Sequence, residues 1–153
     1  KMKKLTKKDQ DFLALCEFWA LKKSKDPSTQ VAAVITRPNN TIASLAYNGF
    51  PQRIMDDTYF LKNREEKYKR ILHAENNAMI FCKEDMKGYT LYTWPLPPCS
   101  SCALNIIQAG IKKVVSIHPS DNRWKRWKES CELANQLFKE ACVDYVWKER
   151  HEI

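Results

Sequence analysis

Two short stretches constrain this chain more than anything else in it: Pro97-Pro98-Cys99-Ser100-Ser101-Cys102 and, upstream, Leu72-His73-Ala74-Glu75-Asn76. Two thiols three residues apart, directly after two prolines, admit three readings: a redox pair, part of a structural zinc knot, or two-thirds of a catalytic metal site. If a helix begins at Cys99, residues i and i+3 share a face, so Cys99 and Cys102 reach one ion. The positive end of that helix favours thiolates over thiols. A second helix is expected to begin close to His73. Two thiolates and one imidazole leave a tetrahedral zinc ion with one open position for water, which marks a catalytic site rather than a structural one. Glu75 then stands beside that water as a proton shuttle, not as a ligand. Zinc lowers the pKa of the water to near neutrality.

The competing readings explain less. A thioredoxin-like pair wants its CxxC after the first strand of a small domain, and leaves His73 and Glu75 without a role. A closed structural site needs a fourth ligand from Cys82, Cys131, His118 or His151, and none of these has knuckle-like spacing. The other cysteines, at 16, 82, 131 and 142, sit singly in apolar patterns where a thiol behaves as a small hydrophobe. They do not form a disulfide framework, and a reducing, cytoplasmic setting is expected. The basic N-terminal segment leads into an amphipathic pattern and is not read as a signal peptide. No run of about 18 apolar residues is present, so no membrane partner is expected. With 153 residues and 44% hydrophobic composition, residues 1–153 read as one domain with one core. The net charge of +8 favours anionic partners, although part of it is solvated helix surface.

The pattern along the chain predicts a helix over Leu5 to Ser24, with Thr6 as N-cap and Asp9 three residues on. A hairpin follows, Val31 to Thr36 and Thr41 to Tyr47, turned by Arg37-Pro38-Asn39-Asn40. Asn48 to Arg70 reads as polar loop with a short helix around Tyr59 to Lys69. The helix from His73 runs through Ala78, Met79 and Phe81. A strand over Tyr89 to Trp94, a helix over Cys99 to Ala109 stopped by Gly110, a strand over Lys112 to Ile117, a helix over Trp124 to Ala141 and a strand over Val143 to Trp147 complete the order. Alternating strands and helices in the second half predict parallel strands. The expected fold is an α/β three-layer sandwich: a five-stranded mixed sheet with helices on both faces.

H-x-E together with P-C-x-x-C is the signature of the zinc-dependent nucleobase deaminases. Nearly the whole chain resembles the deoxycytidylate (dCMP) deaminases of the cytidine deaminase superfamily. The resemblance rests on the zinc motifs and on Ser24 to Ile35 (SKDPSTQVAAVI), Tyr47 to Pro51 (YNGFP), His73 to Met79 (HAENNAM) and Ile106 to Val115. It implies one Zn²⁺ per chain held by His73, Cys99 and Cys102, with Glu75 as the general acid/base. The activity it implies is hydrolysis of dCMP to dUMP and ammonia, which supplies dUMP for thymidylate synthesis. Attack falls on C4 of the ring, with Glu75 carrying a proton to N3 and then to the departing ammonia. The Ala74 amide is expected at the pyrimidine O2, the carbonyls around Trp94 and Pro95 at the amino group, and Asn48 at the deoxyribose. For the 5′-phosphate the first candidates are Ser24 and Lys25, followed by Arg53, Lys67, Tyr68 and Arg126. The family also forms homo-oligomers, commonly hexamers.

Three positions depart from the family pattern. Gln52-Arg53-Ile54 follows NGFP where a glycine is usual, which leaves activation by dCTP and inhibition by dTTP unsupported. Ala33 and Cys142 replace glycines in the first strand and before the last, and read as packing changes. Two alternatives stand beside this reading. One is a deaminase of bases in single-stranded nucleic acid or tRNA, suggested by the stacking-type run Arg123-Trp124-Lys125-Arg126-Trp127. The other is a non-catalytic module that keeps zinc as a staple, against which Glu75 argues.

Overall fold

The computed structural model describes residues 3–119 and 123–149. Expectations placed on Lys1, Met2 and His151, and on the side chains of Arg123 and Trp124, lie outside the described residues.

The first helix, α1 (Lys7–Lys23), starts where its cap dictates. The Thr6 side chain accepts from the Asp9 amide, and the Asp9 carboxylate accepts from the Thr6 amide, both at 3.1 Å. This capping box satisfies two amides that the helix itself leaves unpaired. The hairpin forms as expected, with β1 (Ala32–Thr36) antiparallel to β2 (Ile42–Tyr47). Between Asn48 and His73 the chain makes two single-turn helices, α2 (Thr58–Lys62) and α3 (Arg64–Tyr68), not the one predicted. Asn63 divides them: its backbone amide closes α2 and its side chain caps α3. Next come α4 (Ala74–Phe81), β3 (Thr90–Trp94), α5 (Ser100–Gln108), β4 (Lys113–His118), α6 (Arg123–Glu140) and β5 (Asp144–Glu149). No helix among the described residues is long and apolar enough to cross a membrane.

The sheet order is β2-β1-β3-β4-β5. β1 is antiparallel to both its neighbours, whereas β3, β4 and β5 run parallel. Both faces are covered, so the central strands are apolar on both sides. Ala32, Val34, Tyr92, Val115 and Ile117 pack under α1 with Leu13, Cys16 and Ala20. Ala33, Ile35, Leu91 and Val114 pack on the other face under Ala78 of α4, Ile106 of α5 and Phe138 of α6.

Register brings the motifs together. Ala32 pairs with Tyr47 on one side and with Trp94 on the other. The start of β1, the end of β2 and the end of β3 therefore share one end of the sheet. Asn48 leaves β2 there, and the segment that leads to Cys99 leaves β3 there. A two-hydrogen-bond bridge between Gly49 and Leu72 holds the approach to His73 against Asn48.

Cys142 corrects its sequence reading. Its φ is 58°, in the left-handed region, and it closes α6 in a Schellman arrangement. The Cys142 amide donates to the Lys139 carbonyl at 3.1 Å and the Val143 amide to the Phe138 carbonyl at 2.9 Å. The glycine usual at this position is thus a matter of backbone conformation, not of packing. Arg53 likewise holds a φ of 76°, in the turn closed by the Ile54 amide on the Pro51 carbonyl. The loop keeps a glycine's backbone conformation with an arginine in place. Ala33 is fully buried in β1.

Candidate metal centre and substrate cleft

Two helices aim their N-termini at one point. His73 is the N-cap residue of α4 and Cys99 that of α5, and neither side chain is spent on capping its own helix. His73 Nδ1 lies 3.5 Å from Cys99 Sγ and 3.3 Å from Cys102 Sγ. The three donor atoms all lie within 4.8 Å of one another, the one such group among the described residues. A tetrahedral zinc with ordinary Zn–N and Zn–S bonds requires N···S separations of about 3.5 Å. The donor set therefore fits zinc by chemistry and by spacing. The candidates for a closing fourth ligand do not join it. His118 stacks on Trp147 with ring centroids 3.9 Å apart, and the Cys82 thiol faces the Glu84 carbonyl. Cys131 lies nearby, with its thiol directed at the Pro97 carbonyl.

Each group of the cluster acts on the protonation of the others. A hydrogen bond from Cys102, aided by His73, draws the Cys99 thiol down to about 4. Cys102 is pushed upward because it donates to Cys99 and is buried. The hydrogen bond with Cys99 raises His73 to about 9, against the opposing effect of its burial. Glu75 sits in the first turn of α4, only 4% exposed, and burial lifts its carboxyl to about 7 although His73 pulls it the other way. A buried carboxyl beside these donors is placed to take up and return a proton.

The cluster lies in a cleft that opens to the surface. His73, Ala74, Glu75 and Cys99 line it, as do Asn48, Lys67, Tyr68 and Arg126. Other expected residues do not line it. Trp94 and Pro95 stand back, and Leu96 and Pro97 form that wall. Ser24 is buried and donates to Asn48 Oδ1 at 2.6 Å. Lys25 points outward to Asp56 at 2.9 Å. Arg53 belongs to the separate turn described above. Asn48 lines the cleft, but its amide is committed: Oδ1 also accepts from the Val31 amide, and Nδ2 donates to the Thr29 carbonyl and to Asp26.

The sequence reading missed Asp26, Ser28, Thr29, Ile71, Trp127 and Cys131 as lining residues. Asp26 was legible as part of the SKDP block. Cys131 and Trp127 reach the cleft only because α6 crosses it, and local spacing gives no signal of that. Trp127 packs edge-on against both Tyr68 and His73, so it is a wall of the cleft, not an external stacking surface. Lys125 and Arg126 are exposed, and Arg126 donates to the Tyr68 hydroxyl at 3.5 Å at the cleft mouth.

Comparison with known proteins agrees with this site. The family model for the cytidine and deoxycytidylate deaminase zinc-binding region matches residues 6–118. A deoxycytidylate deaminase of Mus musculus is 37% identical over 151 residues, covering 91% of this chain and 82% of the relative. An Aliivibrio fischeri protein described as an uncharacterized deaminase in the luxG 3′ region is 42% identical over 126 residues, covering 81% of this chain and 82% of the relative. The crystal structure of a dCMP deaminase from cyanophage S-TIM5 in complex with dCMP and dUMP superposes with a TM-score of 0.72 at 22% identity, covering 95% of this chain and all of that one. At that identity the likeness shows the shared fold.

Proposed function

Because the chain belongs to the cytidine and deoxycytidylate deaminase zinc-binding family, we propose that it hydrolyses dCMP to dUMP and ammonia. One observation carries the reading: three convergent donors in a cleft, with a buried carboxyl, Glu75, beside them. Bound by His73, Cys99 and Cys102, one zinc ion per chain supplies Lewis acidity and a water acidic enough to attack at neutral pH. Glu75 would take a proton from the attacking water and pass it to N3 as the bond from C4 to oxygen forms. It would then take the proton of the new C4 hydroxyl and pass it to the amine, which leaves as ammonia when the bond from C4 to nitrogen breaks. The Ala74 amide lies in the first turn of α4, has no acceptor within the helix, and is directed to the pyrimidine O2. Asn48 fixes the wall beside the deoxyribose. Arg126 and the Tyr68 hydroxyl at the mouth are the phosphate contacts, in place of Ser24, Lys25 and Arg53.

Two further assignments belong to this reading. No disulfide joins the six cysteines, which supports work in the reducing cytoplasm, where the product feeds thymidylate synthesis. Ile80 and Phe81 on α4 and Leu104 on α5 are exposed apolar side chains, which supports a homo-oligomer of the hexameric kind. The nucleic-acid alternative loses its main support, because Trp127 is packed into the cleft wall.

The test is zinc analysis of the purified protein with ammonia release from dCMP, CMP, deoxycytidine and dCTP. The expected result is one zinc per chain and preferred turnover of dCMP. Turnover of oligonucleotide cytosine in preference to dCMP would overturn the reading.

A further inference from the structure

Lys67 and Asp26 form an ion pair at 2.9 Å with both side chains almost fully buried, 4% and 5% exposed, and both line the cleft. A buried ion pair costs more to desolvate than it returns unless its remaining hydrogen-bonding capacity is also satisfied. Here it is not. An ammonium has three donors. One hydrogen of Lys67 goes to Asp26 Oδ1, and among the described residues the other two have no acceptor, only the face of the Tyr68 ring 5.7 Å away. The carboxylate is used just as unevenly. Asp26 Oδ1 accepts from Lys67 and from the amides of Ser28 and Thr29 at 2.8 and 3.1 Å. Asp26 Oδ2 has one long contact, 3.4 Å from Asn48 Nδ2. The wall therefore offers an unfilled donor and an under-used acceptor side by side, with no net charge.

The geometry points to a sugar hydroxyl as the group recognised by Lys67 and Asp26, which, on the dCMP reading above, is the 3′-hydroxyl of the deoxyribose. A hydroxyl both accepts and donates, so it can accept from Lys67 Nζ and donate to Asp26 Oδ2. A phosphate dianion fits this place badly, because Asp26 opposes it and the nearest cation is already paired. Asn48 acts through this pair. Its amide is held by Ser24, Val31 and Thr29, and it steadies Asp26 without a free group of its own for the sugar. Lys67 and Asp26 are thus specificity-determining residues, and Asn48 is a positioning residue.

The experiment compares the zinc-loaded full chain on dCMP, 2′,3′-dideoxycytidine 5′-monophosphate and deoxycytidine, in the wild type and in K67M and D26N, with zinc content measured alongside. The wild type is expected to process the dideoxy nucleotide with a kcat/KM at least about 100-fold below that for dCMP, because a site built for a hydroxyl rejects the analogue that lacks it. In either variant that ratio shrinks below about 10-fold while zinc stays at one per chain and the preference for dCMP over deoxycytidine survives. Equal kcat/KM of the wild type on dCMP and the dideoxy nucleotide overturns the assignment without any variant having to fold. So does a K67M protein that loses its preference for dCMP over deoxycytidine but keeps the dideoxy penalty, since that makes Lys67 a phosphate ligand. A zinc-loaded wild type that leaves dCMP untouched overturns both the assignment and the reading it rests on; turnover of dCMP with no dideoxy penalty overturns the assignment alone.

Discussion

The two ends of the cleft are built in opposite ways. At the floor, His73, Cys99 and Cys102 come from two short stretches at the starts of α4 and α5, and their donor atoms point at one another. At the polar wall, Asp26 and Asn48 come from two separate loops and Lys67 from the short helix α3, and most of their hydrogen bonds bind the chain to itself. The floor is a set of groups organised for a guest ion. The wall is a structural network with a small residue of unused capacity. The difference teaches that removing a group from the floor should abolish chemistry and spare most of the fold, whereas removing one from the wall should weaken the fold and alter selectivity.

The largest effect tests the floor. C102A or H73A should lower zinc from one per chain to background, with dCMP turnover falling by more than the roughly 10–100-fold typical of changes behind a metal ligand. Metal analysis and ammonia release check this, and retained zinc in a folded C102A protein would break the contrast. The wall comes next. K67M leaves the Asp26 carboxylate buried without its cation, and the unfolding free energy should fall by about 3–5 kcal/mol while zinc remains bound. Urea denaturation reads this directly, and an unchanged midpoint would show that the pair carries no structural weight.

Two controls outside both regions sharpen the comparison. His118 is buried against Trp147, and burial holds its imidazole down to about 4 from an ordinary 6.5. Between those values the unfolded chain takes up a proton that the folded chain refuses, so stability should fall as the pH drops from 6.5 towards 4, by up to roughly 3 kcal/mol. H118Q should flatten that slope in pH-dependent denaturation without altering the dideoxy ratio. The smallest effect is a gain. C142G should raise stability by about 1 kcal/mol, by relieving a left-handed conformation at a residue with a Cβ. Thermal melting checks it, with zinc content and turnover unchanged.

The same contrast explains what was legible in the sequence. The floor could be read because its information is local: H-x-E and P-C-x-x-C place donors at fixed offsets on helix starts, and the CxxC spacing survives folding intact. The parallel pairing in the second half followed from alternation of strands and helices, and the α1 start from Thr6 and Asp9. The division of the helix predicted around Tyr59 to Lys69 at Asn63 was not legible, because two overlapping caps outweigh a continuous polar pattern. Ser24 and Lys25 stay out of the cleft lining for a physical reason. Ser24 and Lys25 look like anion contacts as residue types, but burial turns Ser24 inward to Asn48, and Asp56 holds Lys25 outside the cleft. Cys142 looked like a change in side-chain volume, because a sequence does not display φ.

One comparison reaches the centre of the account: zinc content and dCMP turnover measured together in the wild type and E75Q. The account predicts one zinc per chain in both proteins and turnover in E75Q lower by about 10²–10⁴-fold, the range a positioned acid/base contributes. An E75Q protein that holds its zinc and releases ammonia from dCMP at the wild-type rate would contradict it.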